Sequence, residues 1–388
     1  MLIKSLLSVL VFLSICIQTQ AQTPFDCDGN AYLIISPQNR TQVYRVNTNL
    51  ASGAVTYDLI SETTGLELNA VGYRKTDNFI YGINGFDNGL YRIDATGNIE
   101  FVAQPAFSTD NFYAAGDVSP DGRYLVVIGS VNDQQVLRYI NLENGQYSVT
   151  DVELNTTNGE SIFCTDLAFD PLTGLAYGFD VTSNRLVSID PQTGIVDNTS
   201  YPENDVVGNL PSLFFDSFGQ LFGLGSGTIG SSSVNLYQMD INTGRGRLFA
   251  PASDLGGNSD GCSCPYSLAV NQSFVPSIAF PCTQTQLTLR IANLTTSGLA
   301  NAELTEVLPP SFSVQEFVEN PFGGTVISPL GTNLIEITDM TIPVGVDSIV
   351  MLIDIGDSPI GTYSQQARFE ITDIAKGLDT TLVSDNPL

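Results

Sequence analysis

Two aspartates are the main candidates for chemistry in this sequence. Asp117 sits in Gly116-Asp117-Val118, and Asp166 sits in Cys164-Thr165-Asp166-Leu167. Each falls on a short apolar segment just ahead of a turn. Two carboxylates converging from neighbouring strands are the machinery of glycoside hydrolysis, one as acid and the other as base or nucleophile. The chain contains no histidine. That removes Ser-His-Asp and Cys-His catalysis and every His-ligated metal site. An enzyme here would work with carboxylates, Tyr, Lys or Ser alone. At the equivalent places in the other repeats stand Ala70, Ser212 and Ser267. A channel lined by such small residues is poorly equipped for catalysis, so Asp117 and Asp166 are expected to be structural, with catalysis as the alternative.

Acidic turns raise a second possibility. Asp26-Cys27-Asp28-Gly29 and Asn258-Ser259-Asp260-Gly261 could make one oxygen-rich Ca²⁺ site from Asp26, Asp28 and Asp260. The chain has no Asp-x-Asp-x-Asp-Gly loop, and two polar turns explain the pattern as well; no cofactor is expected. Cys262 and Cys264 have CxC spacing, but with no His and no second close pair they do not read as a metal site. The net charge is −27, from 14 Lys plus Arg against 41 Asp plus Glu. Such a surface repels phosphate backbones and disfavours anionic membranes, which excludes nucleic acid as a partner.

A five-fold repeat positions these residues. Val43-Tyr44-Arg45-Val46-Asn47 returns at Leu90, Leu137, Leu186 and Leu236, in steps of 47, 47, 49 and 50 residues. A fixed period of this size marks a repeat fold. Ahead of each copy lies an apolar strand: Tyr32–Ile35, Phe79–Gly82, Tyr124–Val127, Leu175–Gly178 and Leu221–Leu224. One strand earlier come segments such as Val118-Ser119-Pro120-Asp121-Gly122 and Ala168-Phe169-Asp170-Pro171. After each copy a turn is closed by Gly53, Gly97, Gly145, Gly194 or Gly244. Pro presets φ and Gly supplies positive φ, so strand and tight turn alternate. Four antiparallel strands per period is the unit of a β-propeller blade. Five blades are predicted.

The first unit lacks an innermost strand. Pro265–Val270 has the register of Leu167-Ala168-Phe169 and is predicted to pair with Ala31–Ser36 and close the ring. Cys27 and Cys264 each precede one of these strands, and a disulfide between them would lock the closure. The closing Asn or Asp of each repeated motif is read as the start of the next turn. Tyr44, Tyr91 and Tyr237 are read as packing between blades.

The Asp-Cys-Asp-Gly start, the recurring Tyr-Gly and hydrophobic-Asp strands, and Ser259-Asp260-Gly261-Cys262-Ser263-Cys264-Pro265 resemble an uncharacterised propeller-like repeat domain of secreted bacterial proteins. It is distantly similar to WD-repeat and surface-layer propellers. The resemblance covers about residues 25–272 and implies architecture alone; with no Trp in the chain, the Trp-Asp signature is absent.

After Phe274-Val275-Pro276 the period stops. Thr285–Asn293 alternates strictly, as a half-buried strand does. Further strands are expected at Ala302–Leu308, Asn333–Ile337, Asp347–Ile355 and Tyr363–Ile371. The Leu304-Thr305-Glu306-Val307-Leu308-Pro309 stretch resembles the immunoglobulin-like repeat of bacterial cell-surface proteins, which implies a β-sandwich spacer. Ser384-Asp385-Asn386-Pro387-Leu388 stands where a further module of that kind would begin. At the other end, Lys4, an apolar Leu6–Ile17 and Thr19-Gln20-Ala21 read as a signal peptide. The expected division is signal peptide 1–21, β-propeller 22–272 and immunoglobulin-like sandwich 273–388, all-β throughout. The expected function is an exported, non-enzymatic surface or extracellular protein binding a glycan or a protein. The alternative is a His-independent carbohydrate-active enzyme.

Overall fold

The computed structural model describes residues 22–27, 30–37, 39–49, 54–106, 113–132, 134–143, 145–205, 207–216, 219–227, 233–252, 255, 258–264, 268–276, 278–295, 297–361, 363, 367–373 and 378–384. The expected signal peptide lies outside these. The described residues are all-β and contain no helix.

The repeat builds successive antiparallel sheets. The first holds β1 (Ala31–Ser36), β2 (Arg40–Asn49) and β3 (Ala54–Thr64). The second runs through β4 (Leu68–Arg74), β5 (Phe79–Asn84), β6 (Leu90–Ile93) and β7 (Ile99–Ala103). The third holds β8 (Gly116–Val118), β9 (Tyr124–Val131), β10 (Gln134–Asn141) and β11 (Val149–Glu153). In the fourth, β13 (Cys164–Phe169), β14 (Ala176–Asp180), β15 (Arg185–Ile189) and β16 (Ile195–Asp197) are extended by β12 (Asn155–Thr156), which lies parallel to β16. The fifth holds β17 (Asn209–Phe215), β18 (Leu221–Ser226), β19 (Asn235–Met239) and β20 (Gly246–Pro251).

The repeated motif is the third strand of every sheet: β2, β6, β10, β15 and β19. Its last residue begins the turn to the outer strand. Asp94 accepts the N–H groups of Thr96 and Asn98, Asp190 that of Gln192, and Asp240 that of Asn242. Gly97, Gly145, Gly194 and Gly244 follow with positive φ. Such Asx turns satisfy the carboxylates locally.

The first sheet is completed by β21 (Asn258–Ser263), antiparallel to β1, with Tyr32 opposite Cys262 and Ile34 opposite Asp260. Innermost strands then adjoin in the order β4, β8, β13, β17, β21 and back to β4. The arrangement is propeller-like and closed. The closing strand is therefore not Pro265–Val270. Pro265, Tyr266 and Ser267 lie outside the described residues. Leu268–Val270 opens β22 (Leu268–Val275), which pairs along its full length with β23 (Gln284–Asn293). Leu268 and Val270 face the C-terminal core, while Ala269 faces the fifth sheet. Their apolar alternation copies that of Leu167–Phe169, but it serves a different pair of surfaces. The boundary expected at residues 272/273 thus falls inside a strand, and the C-terminal sheets begin at Leu268.

Those sheets are two. One orders β22, β23, β28 (Gly345–Asp354) and β25 (Ser313–Glu319). The other orders β26 (Thr325–Val326), β27 (Leu334–Ile342), β24 (Leu299–Val307), β29 (Arg368–Asp373) and β30 (Leu378–Val383). Leu287, Leu289 and Ile291 of the first meet Leu304, Ile337 and Phe369 of the second in one core. Ala292 of β23 packs with Leu213, Tyr237 and Met239 of the fifth repeat sheet.

Candidate functional site

The innermost strands carry three aspartates rather than two. Asp117 lies on β8, Asp166 on β13 and Asp260 on β21. All three are engaged by backbone N–H groups. Asp117 accepts the N–H of Val118 at 2.7 Å through one oxygen and that of Phe169, on the next innermost strand, at 2.8 Å through the other. Asp166 accepts Leu167 N–H at 2.6 Å, Leu213 N–H of β17 at 2.5 Å and Gly261 N–H of β21 at 3.1 Å. Asp260 accepts Gly261 N–H at 2.9 Å and Val71 N–H of β4 at 2.8 Å. Each carboxylate thus reaches from its own strand to a neighbour around the ring.

The electrostatics follow from burial. Asp166 and Asp260 are fully buried. Desolvation pushes both carboxyls well above the usual range, and for Asp166 the neighbouring Asp260 charge adds to the shift. Like charges this close cannot both ionise cheaply. Asp117 keeps slight exposure. Desolvation still raises it to about 7, against its two backbone N–H bonds. Beside Asp117 lies a void of about 10 Å³ lined by residues including Val118, Phe169, Phe214 and Cys262, room for about one water.

Close approach of the strands explains the narrow centre. A Cβ on Gly72 of β4 would stand 2.1 Å from the Val118 amide of β8, and one on Gly116 2.9 Å from Ala70. Ser212 donates to or accepts from Ser259 at 2.8 Å, within the same inner layer. The expectation that Ser267 occupies the closing unit's inner position is corrected: Asp260 is on the closing strand. A signal for it stands in the sequence, because Asp166 to Pro171 and Asp260 to Pro265 are both steps of five.

The Ca²⁺ arrangement is not assembled. Asp28 lies outside the described residues. Asp26 is exposed, whereas Asp260 is sealed in the ring and engaged by Val71 and Gly261. Cys27 and Cys264 are joined as a disulfide. Cys164 and Cys262 are buried free thiols, and Cys282 is an exposed one. The three recurring tyrosines each pack in a cluster with neighbouring strands, Tyr44 with Phe222 and Leu224, Tyr91 with Tyr73 and Tyr237 with Phe179.

The large recess is elsewhere. A cleft of about 640 Å³ runs between the fifth repeat sheet and the C-terminal sheets. Gln220, Gln238, Met239 and Asn242 line one side; Asn271–Phe274, Phe280 and Ile360 line the other. No sequence motif marks it, since its walls come from segments far apart in the chain.

Sheets repeated around a closed centre define the class: this is a propeller-like β-repeat protein. Residues 33–266 match the family described as "Repeat of unknown function (DUF6923)". The chain belongs to that family. No curated protein matches it. Among solved structures it is similar to TolB from Acinetobacter baumannii, at 16% identity over 70% of this chain and 63% of that one, with a TM-score of 0.39. The chain therefore spans less than two thirds of the TolB chain. It is similar as well to a structural genomics protein of unknown function from Bacteroides thetaiotaomicron, at 13% identity over 64% and 66% of the two chains, TM-score 0.41. A chain of a nidogen/laminin complex matches at 13% identity over 68% and 89%, TM-score 0.37.

Proposed function

We propose that this chain is an exported, non-catalytic binding platform: a five-bladed propeller closed by β21, followed by an immunoglobulin-like sandwich as spacer. One observation carries the non-catalytic part. The carboxylates that could do acid-base work, Asp117, Asp166 and Asp260, spend their oxygens on backbone N–H groups inside the ring. The adjoining void of about 10 Å³ is far below the roughly 300–1,000 Å³ of small-molecule sites. Five sheets with contacting innermost strands support the blade count. Two packed sheets of alternating strands support the sandwich. Export is supported by the Cys27–Cys264 disulfide, since such bonds persist in oxidising compartments. Among the described residues no helix is long and apolar enough to cross a membrane.

The test places the full chain on a glycan and protein-ligand array and, in parallel, measures sugar release from polysaccharides. Binding without turnover is expected. Turnover that disappears in Asp166→Asn would replace this reading with a carboxylate-dependent hydrolase.

A further inference from the structure

We propose that Gln272 and Ser384 condense into an ester, with Glu306 as the proton carrier. The bond would join β22, the first strand of the C-terminal sheets, to the residue that follows β30. It forms in a single self-processing event, independent of what the platform binds.

Glu306 stands where an apolar residue is expected. On β24 the side chains of Ala302 and Leu304 enter the core. Glu306 continues their alternation and is buried, while its neighbour Val307 is left 64% exposed. A buried carboxyl is costly unless its oxygens are hydrogen-bonded. Oε1 accepts Gln272 Nε2–H of β22 at 2.7 Å. Oε2 is buried with no partner. Packing does not account for this group, and it is aimed at an amide nitrogen.

The same amide is engaged at its oxygen. Ser384 Oγ–H donates to Gln272 Oε1 at 2.8 Å, and Ala367 N–H donates to it at 3.3 Å. Ala367 N–H also lies 2.9 Å from Ser384 Oγ. Backbone fixes this pair, since Ser384 N–H donates to Ala367 C=O at 2.8 Å. A hydroxyl nucleophile, a backbone N–H at the acyl oxygen and a carboxyl at the leaving nitrogen therefore meet at one amide. Those are the parts that acyl transfer needs. Gln272, Ser384 and Glu306 are all buried.

The hydroxyl rests on the acyl oxygen, and the carbon it must reach is about 1.2 Å from that oxygen along the C=O bond. Attack by Ser384 Oγ on Gln272 Cδ makes the C–O bond and moves the carbonyl electron pair onto Oε1, where Ala367 N–H meets the charge. When the pair returns, the C–N bond breaks. Glu306 gives its proton to the departing nitrogen, which leaves as NH3, and takes up the proton that Ser384 releases. A hydroxyl and a primary amide thus become an ester and ammonia, with no oxidant or cofactor. Desolvation lifts the Glu306 carboxyl to about 7, against the hydrogen bond from Gln272. Both of its forms are then present near neutrality, as a proton carrier requires. Gln272 borders the open cleft, which gives ammonia an exit. The product closes a loop across 112 residues of sequence and ties one C-terminal sheet to the other.

Peptide mapping of the full chain tests the bond. After reduction and trypsin, Gln272 lies in the peptide 248–290 and Ser384 in the peptide 377–388. The two are expected as one joined species about 17 Da below their sum, the mass of one ammonia. Hydroxylamine, which cleaves esters, should separate them. Ser384→Ala and Glu306→Gln should each yield two separate peptides, whereas Ser384→Thr keeps a hydroxyl and should restore the joined species. Cooperative melting is required of every chain compared, so that unfolded variants are not counted. Separate peptides from the folded parent would overturn the proposal. A joined species that survives in Ser384→Ala would overturn it equally, and one that survives in Glu306→Gln would overturn the assigned proton carrier.

Discussion

Asp260 accepts the backbone N–H of Val71 at 2.8 Å across 189 residues of sequence. The bond ties the last strand of the repeat region to the innermost strand of the second sheet. Asp117 and Asp166 make the same kind of tie, to Phe169 and to Leu213. Side chains that resemble catalytic acids are therefore the fasteners of the ring.

Asp260→Ala should leave the Val71 amide buried without its acceptor, while the Gly261 N–H keeps only Asp166 at 3.1 Å. An unsatisfied buried group costs about 1–3 kcal/mol, and a domain of about 150–250 residues, the size of the repeat region, loses about 2–4 °C of melting temperature per kcal/mol. A fall of several degrees is expected by differential scanning fluorimetry. Asp260→Asn keeps one acceptor oxygen and should recover part of it. An unchanged Asp260→Ala melting curve would mean that the tie contributes nothing.

The same burial makes the fold favour mild acid. The Asp117 carboxyl is raised from 3.8 to about 7, and Asp166 and Asp260 are raised as well. The folded state then holds more protons than the unfolded one, so stability must fall as pH rises. The contribution is fully present below pH about 4 and is lost on passing through about 7. Denaturant midpoints should be higher at pH 5 than at pH 8. General repulsion among surface carboxylates works in the same direction. Asp117→Asn isolates the buried group, and its midpoint should vary less with pH than that of the parent.

Much of the ring was legible from the residues. The motif at Val43, Leu90, Leu137, Leu186 and Leu236 occupies the third strand of each sheet, because apolar alternation between Asp- and Gly-bearing turns leaves few other solutions. The closing strand was not legible by the same means. Asn258–Ser263 consists of Asn, Ser, Asp, Gly and Cys, residues of low strand propensity, and the contacts that make it a strand lie far away in sequence. Leu268-Ala269-Val270 has the better strand pattern and belongs to the next sheet. From the sequence Asp260 thus reads as a turn ligand, whereas it is the third inner carboxyl. The cleft is illegible for a different reason: it exists only where the fifth repeat sheet meets the C-terminal sheets.

Cys27 and Cys264 are 237 residues apart in sequence, so the disulfide closes most of the repeat region into one loop. Removing a native disulfide typically costs about 2–5 kcal/mol, largely through the freedom regained by the unfolded chain. Cys27→Ser should lower the guanidinium midpoint correspondingly, and adding reductant to the parent should reproduce the effect. Equal midpoints with and without the bond would show that strand pairing between β1 and β21 closes the ring unaided.

Of the inner-strand glycines Gly72, Gly116 and Gly261, Gly72 leaves the least room toward the neighbouring innermost strand. A methyl group there would lie 2.1 Å from the Val118 amide nitrogen and 2.8 Å from the Asp117 carboxylate. Backbone cannot yield as a flexible side chain does, so β4 and β8 must separate. Overpacking of a dense interior costs about 1–3 kcal/mol and sometimes more; separation of β4 from β8 also strains the inner layer in which Asp117 reaches Phe169. Gly72→Ala is expected to sit at or above the upper end of that range, with a reduced yield of folded protein and a lower melting temperature. Gly361→Ala, where nothing lies within 4 Å, is the matched control and should behave as the parent. If the two variants melt alike, the inner strands are less tightly apposed than this geometry requires.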